Sequence, residues 1–121
     1  MSKRSIIGEK SFLFAVKIVG LYKSIVENKR EFVLSKQILR SGTSIGANVR
    51  EAGSAESKSD FIHKLGIAQK EADETLYWLE LLFNTNYISE SQFEDYSNGC
   101  KEIVKIIRSI ILTTKKKMKE L

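Results

Sequence analysis

Hydrophobic residues recur along the chain at spacings of three and four, the pattern of amphipathic α-helices. One such segment runs from about residue 9 to 28 and a second from about 31 to 55. A third runs from a cap at Ser57 or Ser59 to about residue 84, and a fourth runs from Ser89 into a lysine-rich end that we expect to be frayed. The pattern therefore predicts an all-α chain.

The first segment carries two hydrophobic stripes. One stripe consists of Phe12, Val16, Val19, Tyr22 and Val26, and the other of Phe14, Ile18, Leu21 and Ile25. A helix at the edge of an isolated bundle needs one apolar face. Two stripes predict that this helix buries more than one face.

The second segment contains Gly42 and Gly46 within an apolar stripe that keeps its phase from Leu34 to Ala52. Each glycine destabilises a helix interior by about 1 kcal/mol relative to alanine. We therefore predict a continuous helix in which the glycines allow close approach of another helix.

The last two segments have clear helix starts and one stripe each. Asp60 complements the dipole of the third helix, and Ser89 with Gln92 forms a capping-box pattern at the fourth. The stripes are Phe61, Leu65, Ala68, Ala72, Leu76, Leu79 and Phe83, then Phe93, Tyr96, Cys100, Ile103, Ile107, Ile110 and Ile111. Because the links are short, the expected fold is a single domain, 1–121, an up-down-up-down antiparallel four-helix bundle.

Composition agrees with this fold and narrows the class of protein. The 121 residues include no proline and one cysteine, so long helices are permitted and an internal disulfide is excluded. The N-terminus lacks the apolar core of a signal peptide, and no stretch reaches the ~18 apolar residues of a membrane helix. We expect a cytoplasmic protein with no membrane partner.

Charge is segregated along the chain. The net charge is +5, but residues 59–99 alone carry −6. This segregation is compatible with contacts between adjacent helices, between neighbouring subunits or with a polyanion.

The sequence offers little for catalysis. Asp60 and His63 lie one helical turn apart, but a single histidine leaves too few ligands for a metal site. Glu71 and Glu74 are more typical of a salt-bridged helix face than of an acid–base pair, and Cys100 is in register with the core stripe. No glycine-rich nucleotide loop follows a strand. We expect no enzyme activity, metal, cofactor or small-molecule substrate.

The most specific arrangement of polar residues is a row of four along the second helix, which we call the polar ladder. Arg40, Ser44, Asn48 and Glu51 share a face of the second helix, from which Arg40 can reach Glu71 and Glu74. One interpretation is a structural network that fixes helix register, and the other is a functional surface or subunit contact.

Basic residues are the remaining candidates for a functional site. By charge alone, nucleic-acid binding and the absence of any ligand are equally supported. Lys101, Lys105 and Arg108 share one face of the fourth helix. The candidate phosphate contacts are Lys36, Arg50, Lys101, Lys105, Arg108, Lys115, Lys116, Lys117 and Lys119.

Three stretches resemble a known family: LRSGTSIGANVREA at 39–52, KSDFIHKLGIA at 58–68 and KEADETLYWLELL at 70–82. They are similar to the four-helix-bundle family encoded in intervening sequences of bacterial 23S ribosomal RNA genes, whose signature positions fall on Arg40, Ser44, Asn48 and Glu51. The resemblance implies a homopentamer. It extends to the accessory variability proteins of diversity-generating retroelements, which are basic pentamers that bind nucleic acid and partner a reverse transcriptase.

Together these observations predict a non-enzymatic pentamer that binds nucleic acid, RNA more readily than DNA. The alternative is a structural adaptor whose ligand is a protein, such as a reverse transcriptase.

Overall fold

The computed structural model of the protein describes residues 3–120, with side chains from residue 6 onward. Met1, Ser2 and Leu121, which belong to the predicted domain, lie outside the described residues. The chain forms four helices, α1 (Lys3–Lys29), α2 (Leu34–Gly53), α3 (Lys58–Asn84) and α4 (Glu90–Lys119). No strand occurs between residues 3 and 120, so the all-α prediction is confirmed.

The helices pack in a closed cycle. Each packs against the next in sequence, and α4 returns to α1, whereas within the described residues the diagonal pairs α1–α3 and α2–α4 do not meet. Neighbouring helices run in opposite directions. Between α1 and α4, Lys10 pairs with Glu102, and Lys17, which is later in α1, pairs with Asp95, which is earlier in α4. This antiparallel arrangement is that of a four-helix bundle.

The core is built from one face of each helix, as the apolar stripes predict. On α1 the buried stripe is Phe14, Ile18, Leu21 and Ile25. The other three helices contribute Ile38, Ile45, Val49, Phe61, Leu65, Ala68, Leu79, Cys100, Ile103 and Ile107, among others. In the second α1 stripe Phe12 and Val16 are exposed, whereas Val19, Tyr22 and Val26 are half-buried, so the expected second buried face is covered only in part within one chain.

The glycines of α2 bring α1 close, as predicted. A Cβ atom on Gly42 would lie 2.8 Å from side-chain carbons of Ile18. One on Gly46 would lie 3.2 Å from the backbone oxygen of Ser11. The contact therefore compensates for the low helix propensity of both residues.

Two of the predicted helix starts are confirmed. The Ser57 side chain accepts a hydrogen bond from the Asp60 amide at 3.0 Å. Ser89 and Gln92 form both hydrogen bonds of the capping box, at 2.9 and 3.1 Å.

Other helix ends differ from the predictions. α1 begins at Lys3 rather than near Glu9, and α2 spans 34–53 rather than 31–55. Glu31 is not helical because its carboxylate caps α2, accepting hydrogen bonds from the amides of Val33, Leu34 and Ser35. The end expected to be frayed, 115–119, is helical. In this segment Met118 is half-buried and lines the same surface pocket as Ile62 of α3. No helix in the described part of the chain is long and apolar enough to cross a membrane.

Candidate nucleic-acid interface

The outer face of α4 carries a stripe of cations, which we call the α4 basic stripe. Its members are Lys101, Lys105, Arg108, Lys115 and Lys119. All five are exposed, and none forms a salt bridge among the described residues. At 1.5 Å per residue, the stripe is about 27 Å long.

Core packing on the opposite face of α4 fixes the direction of the stripe. Cys100, Ile103, Ile107 and Ile110 are buried. Lys101, Lys105 and Arg108 lie one or two positions along the chain from these residues, which places them on a different, exposed face of the helix. Leu112 lies within the stripe and is 69% exposed. The stripe is therefore a basic surface with an apolar member in it.

Salt bridges to α1 occupy two acidic side chains of α4. The Nζ of Lys10 lies 2.7 Å from Glu102, and the Nζ of Lys17 lies 2.8 Å from Asp95. Lys17 also lies over the Tyr96 ring, 4.9 Å from its centroid. These carboxylates are thus directed toward α1, and the lysines beyond them have no acidic partner in the described structure.

The other predicted phosphate contacts are not all part of this surface. Lys116 and Lys117 are exposed in the last turns of α4, adjacent to the stripe. Lys36 and Arg50 lie on α2, the helix diagonal to α4. The nine candidates therefore form an α4 group and a separate α2 pair in a single chain.

The polar ladder is tied to α3 at its two ends. Arg40 donates hydrogen bonds to Glu71, at 3.1 Å, and to Glu74. At the other end, Glu51 lies 3.6 Å from Lys64. Between them, Ser44 and Asn48 donate to backbone carbonyls of α2 itself, at 2.6 and 2.8 Å. The structure thus joins the outer members to α3 and leaves the inner two within their own helix.

Arg40 and Glu74 also affect each other's ionisation. The hydrogen bond from Arg40 lowers the pKa of Glu74, and a second one from the Trp78 indole, 3.2 Å away, adds to this effect. The same pairing raises the pKa of Arg40. Both groups are charged at neutral pH, so this end of the ladder is a salt bridge rather than an acid–base pair.

A buried hydroxyl pair beside the ladder was not predicted from the sequence. Ser41 and Thr75 are fully buried, and their oxygens lie 3.0 Å apart across α2 and α3. The signal was the position of Ser41 in phase with Ile38 and Ile45, on the buried face of the helix. A buried hydroxyl needs a hydrogen-bond partner, and besides the contact between the two helices Thr75 donates to the Glu71 carbonyl of its own helix at 2.8 Å.

The outer side of α1 is apolar. Phe12, Leu13 and Val16 are 54%, 52% and 54% exposed. Beside them a groove of about 660 Å³ between α1 and α2 has small residues in its wall, among them Ala15, Gly46 and Ala47. Arg50 lies at the same place, its guanidinium carbon 5.9 Å from the Phe12 ring centroid. We call Phe12, Leu13 and Val16 the α1 apolar face.

The other residues considered for chemistry from the sequence include His63 and Cys100. No three His, Cys, Asp or Glu side chains converge on a point where a metal could bind within the described residues. His63 is exposed. Burial raises the pKa of the Cys100 thiol to about 12, and its sulfur lies 3.3 Å from the carbonyl oxygen of Ala72. Cys100 is thus a core residue, as predicted, and stays protonated at neutral pH.

Known proteins resemble this chain in sequence and fold. A family model described as 23S rRNA-intervening sequence protein matches residues 3–109. The 1.70 Å crystal structure of a protein of unknown function from the S23 ribosomal protein family of Bacteroides thetaiotaomicron is 58% identical. That alignment covers 91% of this chain and 98% of the other, with a TM-score of 0.90. No curated protein has significant similarity.

Proposed function

The chain belongs to the 23S rRNA-intervening sequence protein family, and from this premise we propose that it is a non-enzymatic homopentamer that binds RNA. The α4 basic stripe is the binding surface in this proposal. The observation that carries it is the set of five exposed cations on one helix face, none of them neutralised by a carboxylate in the described structure. Such a row suits a phosphate backbone, whose charges repeat along its length.

Assembly of several chains accounts for the exposed apolar residues of α1. Phe12, Leu13 and Val16 are each about half exposed, and the groove beside them provides small residues into which a neighbouring chain can pack. A second copy also covers Phe12 and Val16, the residues of the second α1 stripe that the bundle leaves exposed. Five copies then multiply the charge of +5 per chain, which strengthens attraction to a polyanion.

RNA binding is tested with a charge-reversal variant of the α4 basic stripe. Fluorescence anisotropy with a labelled RNA hairpin measures the affinity of Lys101→Glu/Lys105→Glu. We expect at least about a tenfold loss at low salt, because two phosphate contacts per protomer become repulsive. The matched control is Lys23→Glu/Lys70→Glu, which makes the same change in net charge at exposed positions of α1 and α3. Equal losses in the two variants would refute the stripe as the binding surface.

Assembly is tested by light scattering. The wild type is expected at about five times the chain mass of 13.8 kDa. Phe12→Asp/Val16→Asp places charges on the α1 apolar face and is expected to give smaller species. Leu112→Asp, at another exposed apolar residue, should leave the mass unchanged. A monomeric wild type would contradict the assembly.

The groove between α1 and α2 supports a second candidate function. A helix of a different protein, such as a reverse transcriptase, can pack against the small residues that a second copy would otherwise cover. In this adaptor function, a purified reverse transcriptase binds the chain after nuclease treatment, and Lys101→Glu/Lys105→Glu binds it as well as the wild type. Binding that disappears with nuclease favours the RNA function.

A further inference from the structure

The turn between α1 and α2, residues 30–33, presents an aromatic ring to solvent. Phe32 is 46% exposed and the adjacent Val33 is 71% exposed. The guanidinium carbon of Arg30 lies 5.7 Å from the centroid of the Phe32 ring. The ring is thus already paired with a cation at the tip of the bundle.

Hydrogen bonds between side chains and the backbone stabilise this turn. Arg30 ends α1 in the left-handed region, at φ 54°. The Glu31 carboxylate accepts from the Val33, Leu34 and Ser35 amides at 2.9–3.0 Å, and the Ser35 hydroxyl donates to the Glu31 carbonyl at 2.9 Å. Phe32 therefore projects from a turn fixed on both sides, and little conformational entropy is lost when a ligand contacts it.

Three exposed cations lie close to the ring in the sequence. Lys29, Arg30 and Lys36 are exposed and form no salt bridge within residues 6–120. The acidic residue among them, Glu31, is directed at the N-terminus of α2, where its charge is balanced by the helix dipole. Lys29, Arg30 and Lys36 thus lie within four residues of Phe32 in the sequence, and the carboxylate next to the ring in the sequence, Glu31, is already engaged.

We propose that this turn binds an unpaired nucleotide, whose base stacks on Phe32 while Lys29, Arg30 and Lys36 contact the flanking phosphates. An aromatic ring stacks on any base, but it can reach one only where the base is not already stacked in a duplex. The turn thus selects loops, bulges and single-stranded ends. This inference rests on the proposed RNA function and adds a specificity that the α4 basic stripe lacks, and it gives Lys36 a role far from that stripe.

The test compares two RNAs, a hairpin with 2-aminopurine in its loop and a fully paired duplex of similar length. Wild-type protein is expected to quench the loop fluorophore. Phe32→Ala should weaken hairpin binding by about tenfold, which lies within the effect of removing a stacking ring, and should leave duplex binding unchanged. Val33→Ala, which removes an exposed side chain next to the ring, is the matched control and should behave as the wild type. Phe32→Trp should restore quenching.

Several outcomes would overturn the inference. If Phe32→Ala binds the hairpin as the wild type does, while Lys101→Glu/Lys105→Glu loses both RNAs, the stacking site is wrong and the proposed function stands. An equal loss on hairpin and duplex, or a changed mass in light scattering, would mean that Phe32 acts through folding or contacts between copies. Phe32-dependent binding to anionic lipid vesicles without an effect on RNA would assign the turn to a membrane surface. If neither RNA binds the wild type, the proposed function fails as well.

Discussion

The carboxylate of Glu74 links helices α2 and α3. It accepts hydrogen bonds from Arg40 of α2 and from Trp78 of its own helix. Both lower its pKa, so the folded protein favours the carboxylate. Because the Arg40 side chain is about half exposed, at 49%, solvent screens the pair and its contribution to stability is small.

We predict that Glu74→Gln lowers the free energy of unfolding at neutral pH by about 0.5–1 kcal/mol. The stabilisation from a lowered pKa is present above the ordinary carboxyl value of 4.5 and is lost as the pH falls through the lower, folded-state value. Urea unfolding at several pH values should therefore show a steeper decline below pH 4.5 for the wild type than for the variant. The control is Glu80→Gln, at an exposed residue of the same helix. Identical profiles for the wild type and Glu74→Gln would disprove the role of this pair.

Residue spacing predicted some contacts and missed others. The contact of Arg40 with Glu71 and Glu74 could be predicted because opposite charges on the polar faces of two helices attract each other. The pairing of Ser41 with Thr75 could not, since each is a small residue within an apolar stripe and neither carries a charge. Which pair meets depends on the relative shift of α2 and α3, and that shift is set by packing of the whole core.

At the scale of the element, helix α2 begins with a cap that lies outside the usual position. Val33 occupies the N-cap position and offers no side-chain hydrogen bond. The carboxylate of Glu31, two residues earlier, satisfies three amides that the first turn leaves without partners. The sequence predicted the start of α4 because Ser89 and Gln92 follow a known pattern, whereas glutamate at residue 31 resembles an ordinary helix-forming residue.

We predict that Glu31→Ala lowers the free energy of unfolding by about 1 kcal/mol, the usual effect of removing a helix cap. Hydrogen exchange should increase most at the amides of Val33, Leu34 and Ser35, because they lose their acceptor. Glu27→Ala, which removes an exposed carboxylate from the preceding helix, is the comparison variant. Equal stability of the two variants would contradict the cap.

At the scale of the whole molecule, helix α1 shows which buried faces could be predicted from the sequence and which could not. Its two stripes predicted two buried faces, and one of them packs in the bundle while Phe12 and Val16 stay exposed. Periodicity identifies an apolar face but does not say whether the same chain covers it. The same holds for charge. The net charge of +5 per chain does not indicate which surface is basic, whereas the structure shows that α4 places five cations on one outer face.

The central claim is that several copies of the α4 basic stripe together bind one RNA. Its most direct test is the dependence of RNA affinity on salt, because each phosphate contact releases counterions. Five cations from one protomer account for a slope of log affinity against log salt of about −4.5 on duplex RNA, taking the value per contact found for DNA. Binding shared between protomers predicts a slope steeper than about −4.5, and a slope of about −4.5 or shallower would contradict the central claim.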